Sequence, residues 1–248
     1  MQLGYIVSLP ARGFTESYLI INSVKILIVT PLSEEKFALV QGMQKQGCHG
    51  VDIFIGKLSA ASFPEKGLLI AQCGHGKAQA ALQTQHLIDN CSDVDLVICM
   101  GAAGALAEDI AIGDAVVATR TIEHDYILRF VSRPSPCFEG CDRIIEELRQ
   151  VGLANAGFQV QFGCIASGDE DVIEVDRAKQ LHQATGALAV AWEGAGVARA
   201  CAFNQIPFIE MRGVTDTANQ GAAADFDTNL QMAMNNLALL LTAWLHKQ

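Results

Sequence analysis

Hydrophobic and polar positions along the chain alternate between two repeating forms: short continuous apolar runs closed by Gly, Pro, Asp or Thr, and longer stretches with helical spacing. Val24 to Thr30 (VKILIVT) is a buried-strand run, and Pro31 leads into a helix carrying Phe37, Leu39 and Val40, with Ser33 as its expected N-cap. Val51 to Ala71 reads as a hairpin-like segment whose strands, Asp52 to Leu58 and Gly67 to Ala71, flank a turn containing Pro64. Cys73-Gly-His-Gly-Lys77 is a tight strand-to-helix turn, followed by an alanine-rich helix to about Ile88. Asp95 to Gly101 is a further buried strand that opens into a small-residue loop, Gly101 to Leu106.

The second half continues in the same way. Ile112 to Thr119 and Phe158 to Ala166 read as strands, and Asp142 to Val151 as an amphipathic helix with Ile144, Ile145 and Leu148 on one side. Leu188, Val190 and the neighbouring alanines form a short strand that ends at Trp192-Glu193-Gly194. A small-residue helix runs from about Ala195 to Asn204 and is stopped by Pro207, and the run from Pro207 to Val214 is a strand ending in Thr215-Asp216. Leu230 to Leu245 is a helix that covers one face of the sheet. This order and the Ala- and Gly-rich composition predict one α/β domain with helices packed closely on a parallel sheet. The first 23 residues stand outside the pattern as an N-terminal extension, leaving 24–248 for the domain; Pro10, Arg12 and Glu16 interrupt any signal peptide or membrane anchor there.

Composition narrows the function. At 248 residues there is room for one large domain, and a net charge of −10 without a Lys/Arg cluster argues against a nucleic-acid surface. The expected partners are a small molecule and a second copy of the chain, with no membrane. Eight scattered cysteines, several inside apolar runs, suit a reducing cytoplasm. Cys137 and Cys141 have no further ligand pair at metal-binding spacing, so no metal is expected, and Gly74-His-Gly-Lys77 lacks the spacing of a phosphate or dinucleotide loop, so no cofactor is expected either.

In an open α/β sheet ligands gather outside the carboxyl ends of the strands, which is where Glu193, Arg212 and Asp216 fall, and where Glu34 and Glu35 follow the first strand. Each has a plain structural alternative: Glu34 and Glu35 suit a helix start, and Glu193 suits a cap. The loop beginning at Gly101 could bring backbone amides to a sugar or phosphate oxygen. Lys77 reads as a solvated helix-start lysine. His124 and Asp125, adjacent in an extended run, point to opposite faces, which argues against a paired base.

Taken together, TPLSEE, CGHGK, MGAAGAL, AIGDAVVATRTIEHD, ASGDEDVI, AVAWEGAGVARAC and RGVTDTAN, in this order, resemble the nucleoside phosphorylase and nucleosidase superfamily. Within it they resemble the 5′-methylthioadenosine/S-adenosylhomocysteine nucleosidases, over about Val24 to the C-terminus. The resemblance implies a single α/β domain of three layers, a central mixed β-sheet flanked by helices, and hydrolysis of the N-glycosidic bond of a purine nucleoside. Asp216 matches the general acid that protonates the purine at N7, Glu35 the glutamate that activates water, and Arg212 the arginine that helps hold it. Glu193 matches the glutamate that grips the ribose hydroxyls, beside Trp192 under the sugar; Val172 matches backbone that reads the base edge, and Ala102 and Gly104 belong to the small-residue loop. Dimerisation is also implied, with residues from His124 to Phe130 reaching the partner's pocket.

The chain departs from the family at several of these points. Ala191 stands where the family has a further glutamate, Trp192 where it has a methionine, Asp171 where a phenylalanine meets the purine, and Ala102 where it has a serine. These changes leave the base and the 5′ substituent open. Two rivals remain: a phosphorylase, which Pro31-Leu-Ser-Glu-Glu35 opposes because a carboxylate there repels phosphate, and a non-catalytic nucleoside binder.

Overall fold

Ten strands and six helices make up the described residues, 24–153 and 156–247, of a computed structural model. The proposed N-terminal extension, 1–23, lies outside them. The strands form one mixed sheet in the order β10-β6-β8-β9-β5-β1-β4-β3-β2, with β7 paired to β6. Parallel pairing of β1 (Ile26–Thr30) with β4 (Leu68–Gln72) and with β5 (Leu96–Ala105) builds its flat part. Strand β5 pairs again, parallel to β10 (Phe208–Asp216) and antiparallel to β9 (Ala187–Ala191). Because β10 joins β6 (Ala115–Glu123), β6 joins β8 (Val160–Ser167) and β8 joins β9, five strands close on themselves.

A ring this small leaves room only for small side chains. Its strands supply a buried cluster dominated by alanine, including Ala103, Ala105, Ala118, Ala189 and Ala191, with Val116, Ile165 and Val214. Helices α1 (Ser33–Lys45) and α6 (Ala222–Leu245) pack together over one face, where Leu39, Met43, Leu237 and Leu241 meet Ile28, Ile98 and Met211. On the other face, α2 (Lys77–Asn90) and α5 (Gly194–Asn204) cover Leu27, Val29, Val97 and Cys99 through Leu87, Val197 and Cys201. Helix, sheet and helix therefore form the three layers that the resemblance implies. No helix among the described residues is long and apolar enough to cross a membrane.

Four local expectations are corrected. The segment after Val51 holds three strands rather than two: β2 (Val51–Ile55) turns at Gly56 into β3 (Leu58–Phe63), and Pro64–Lys66 is a 3-10 turn into β4. Gly56 sits at φ 58, where glycine carries no Cβ penalty. The run after Gly101 continues β5 to Ala105 instead of forming a loop, because β10 and β9 satisfy its backbone on both sides. Helix α6 begins at Ala222, a full two turns before Leu230. The cap of α1 is Leu32 rather than Ser33, whose hydroxyl bonds Glu34 at 2.9 Å, while the Glu35 carboxylate turns back to accept the Leu32 N–H at 2.8 Å. The sequence pattern also omits α4 (Val175–Thr185) and the short β7 (Cys137–Glu139); α3 spans Asp142–Arg149.

Candidate active site

The carboxyl ends of β1, β5, β8, β9 and β10 open into one cavity of about 460 Å³. Nine of the ten residues singled out above line it: Glu35, Ala102, Gly104, Asp171, Val172, Trp192, Glu193, Arg212 and Asp216. Phe130 does not; it stands fully exposed at 103% of its reference area.

Register explains the convergence. Gly101 of β5 lies opposite Arg212 of β10, and Gly104 opposite Asp216 after an irregularity between Val214 and Asp216. A Cβ on Gly101 would stand 2.7 Å from both Arg212 Nη1 and Glu35 Oε1, so the missing side chain is what leaves room for both charged groups over β5. The peptide of Ala102 serves both. Its N–H donates to Glu35 Oε1 at 2.8 Å, and its carbonyl accepts from Arg212 Nη1 at 3.3 Å.

Glu35 is 3% exposed and its two oxygens accept from the amides of Ala102 and Leu32. Burial is the main reason its pKa rises from 4.5 to about 7; the Glu193 carboxylate adds to the rise, while Arg212 and the two amides oppose it. Glu34, its neighbour, points away into solvent. Glu193, also buried, accepts from the Gly76 amide at 3.1 Å and from Arg212 Nη2 at 3.4 Å. Asp216 is 8% exposed, accepts from the Ala218 amide and the Thr215 hydroxyl, each at 2.9 Å, and is pushed above the usual aspartate range by burial.

Sequence reasoning missed His75. Its ring lies 4.2 Å from that of Trp192, and its Nδ1 is 3.5 Å from Glu193 Oε1, so the glycine turn presents an aromatic partner as well as a backbone amide. Phe226 was also missed; it lines the cavity from the two turns of α6 that precede Leu230. Lys77 is corrected. Its ammonium bridges Glu123, at 2.9 Å, and Asp125, while its own amide donates to Asp169, so it ties α2 to the end of β6 and to the loop after β8. His124 does not line the cavity; its buried ring nitrogens make no hydrogen bond, and burial holds its pKa below the usual value.

A closed five-strand unit fused to a parallel sheet, with buried Glu35, Glu193 and Asp216 gathered with Arg212 at the strand ends, defines an α/β protein with a small-molecule site. Comparison with known proteins narrows the class. A sequence model of the phosphorylase superfamily matches residues 25–246, and the chain belongs to that superfamily. It is 26% identical over 235 residues to a 5′-methylthioadenosine/S-adenosylhomocysteine nucleosidase of Shewanella pealeana, covering 90% of this chain and 100% of that protein. The corresponding nucleosidase of Shewanella loihica is 28% identical over 234 residues, covering 90% and 99%. Among solved structures, a 5′-methylthioadenosine/S-adenosylhomocysteine nucleosidase from Helicobacter pylori superposes with a TM-score of 0.78 at 25% identity, covering 92% of this chain and 99% of that one. A futalosine hydrolase from the same organism does so with a TM-score of 0.78 at 25% identity, covering 94% and 100%.

Proposed function

We propose that the protein hydrolyses the N-glycosidic bond of a purine nucleoside of the 5′-methylthioadenosine/S-adenosylhomocysteine type, releasing the free base and a ribose derivative. The observation that carries this reading is the charge of the cavity. Arg212 is the one arginine or lysine among the described residues lining it, and its donors are directed to Glu210, Glu193, Cys99 and the Ala102 carbonyl. A dianionic phosphate would have to enter beside Glu35 and Glu193 with no free cation to meet it, whereas water and a developing ribosyl cation suit such a site.

In this reading the bond breaks through an oxocarbenium-like state. Asp216, kept more readily protonated by burial, donates to the leaving purine at N7. Glu35, fixed by two amides, takes a proton from the attacking water, which Arg212 helps to hold. Glu193 accepts from the ribose hydroxyls and faces the positive sugar, with Trp192 and His75 packed beside it. Val172 and Asp171 lie at the base end, and the backbone of Ala102 to Gly104 forms the floor. Supporting a purine nucleoside, the relatives named above are nucleosidases by name, and the cavity has the size of a small-ligand site.

A second copy of the chain is the proposed partner. Tyr126, Ile127, Leu128, Phe130 and Val131 are all exposed, an apolar segment interrupted only by Arg129 on a chain of net charge −10.

The test is base release from methylthioadenosine, adenosylhomocysteine, adenosine and inosine, each with and without phosphate. Phosphate-independent release from one of the first two is expected. Strict phosphate dependence would replace hydrolysis by phosphorolysis, and silence on all four would point to another nucleoside or to a binder.

A further inference from the structure

Behind the cavity, and not among its lining residues, lies a further buried acid beside Arg212. Glu210 is 0% exposed and sits two residues before Arg212 on β10, so both side chains leave the same face of the strand. Arg212 Nε donates to Glu210 Oε1 at 2.8 Å, and the hydroxyl of Thr121, also 0% exposed, donates to Oε2 at 2.6 Å. The space for this carboxylate exists because α5 opens with Gly194, where a Cβ would lie 2.1 to 2.4 Å from its atoms.

Charge neutralisation does not account for Glu210. Arg212 already has Glu193 as counter-ion, with Nη2 to Oε2 at 3.4 Å, and an added buried acid costs desolvation without giving stability that an apolar side chain could not match. What Glu210 adds is direction. It clamps the Nε edge of the guanidinium from behind, so that the Nη edge is presented to Ala102, Glu193 and the side of β5 on which Glu35 lies. We propose that Glu210, anchored by Thr121, is a positioning residue that aims Arg212 at the water-activating carboxylate. The inference rests on the hydrolytic reading of Glu35 and Arg212.

Five titratable groups face Arg212 from the elements around it: Glu210 on β10, Glu193 before α5, Glu35 on α1, Cys99 on β5 and Cys73 after β4. Glu210→Gln keeps the shape and, with its amide oxygen toward Arg212, still accepts from Nε–H, while its NH2 now donates to the Thr121 hydroxyl; it removes one negative charge from beside the guanidinium. With one competing carboxylate gone, Arg212 offsets the Glu35 charge more fully, which favours the ionised form of Glu35. The variant should keep the wild-type circular dichroism, lose at least about tenfold in kcat with KM nearly unchanged, and move the acid limb of its kcat/KM profile down by about one pH unit. Thr121→Val, a milder change, should move both quantities the same way by less, and it decides the matter should Glu210→Gln not fold.

An activity-independent reading comes from nitrogen-15 NMR of the arginine side chains, with Arg212→Lys identifying the Arg212 Nε–H signal. In the wild type this signal should exchange slowly with water; in Glu210→Gln it should shift and exchange at least about tenfold faster, as expected when the acceptor of the bond loses its charge. If the wild type releases no base, the hydrolytic reading falls while the signal still reports whether Glu210 holds Arg212. If Glu35→Gln abolishes hydrolysis but Glu210→Gln matches the wild type in kcat, pH profile and Nε–H exchange, the positioning role is overturned and the hydrolytic reading stands.

Discussion

Glu35 is held where its chemistry, and not the stability of the fold, wants it. Its pKa rises from 4.5 to about 7 because burial and Glu193 disfavour its charge, so the folded chain holds a proton that the unfolded chain releases between those two values. The associated stability is therefore present in full below about pH 4.5 and is lost as pH rises through about 7, a change on the order of 3 kcal/mol for this one group. Glu35→Gln leaves a donor facing one of the two amides that Glu35 accepts from, a cost that does not vary with pH. Urea unfolding of wild type and variant at pH 4.5 and 8 should thus show the wild type losing more stability across the interval; parallel slopes would refute the raised pKa. In catalysis the same group must be ionised, so wild-type kcat/KM should rise through about pH 7 and this limb should vanish in Glu35→Gln. Asp216 has the opposite duty. Asp216→Asn removes the proton donated to the base and should lower base release by at least about a hundredfold with the circular dichroism intact; turnover near that of the wild type would remove Asp216 from the mechanism.

Strand β5 is the element on which the site turns. Its first half belongs to the flat parallel sheet and its second half to the closed ring, and Gly101 lies where Arg212 and Glu35 reach over it. Gly101→Ala would put a methyl group 2.7 Å from Arg212 Nη1 and Glu35 Oε1, and both charged groups would have to shift. Displacements of this kind cost up to about a hundredfold in rate, so kcat should fall steeply while thermal stability changes little, which steady-state kinetics and calorimetry can separate. Apolar runs closed by Gly, Pro or Thr made most strands and helices legible, and the strand-end position of Glu35, Glu193, Arg212 and Asp216 was legible with them. Pairing was not. Gly101 to Ala105 has the composition of a loop and is a strand because β9 and β10 flank it, and Ala222 to Asn229 looks like a polar connection but extends α6 and brings Phe226 to the cavity. Lys77 and Glu210 escaped for a related reason: their partners lie 46, 48 and 89 residues away in the chain, a separation no local pattern reveals.

At the scale of the whole molecule, the exposed apolar segment after β6 stands against the rest of the surface. Ile127 is 74% exposed and Phe130 completely so, although Asp125 and Glu123, just before them, are tied to Lys77 and the segment starts from a fixed point. Arg199 reinforces that start, pairing with Glu123 and lying over the Tyr126 ring at 5.9 Å from its centroid. An anchored base with an apolar tip is expected of a segment that meets another surface, and acidic chains would associate through a patch whose only charge, Arg129, is positive. Replacing Ile127 and Phe130 together by serine should convert a wild-type dimer to a monomer by light scattering. If the proposed reach of this segment into the partner's cavity is correct, the same variant should raise KM for the nucleoside while the monomer retains its fold, because the acids and Arg212 all come from one chain. A wild-type protein that is already monomeric would remove the second copy from the proposal; a monomeric variant with unchanged KM would leave the dimer but show that each cavity is complete within its own chain.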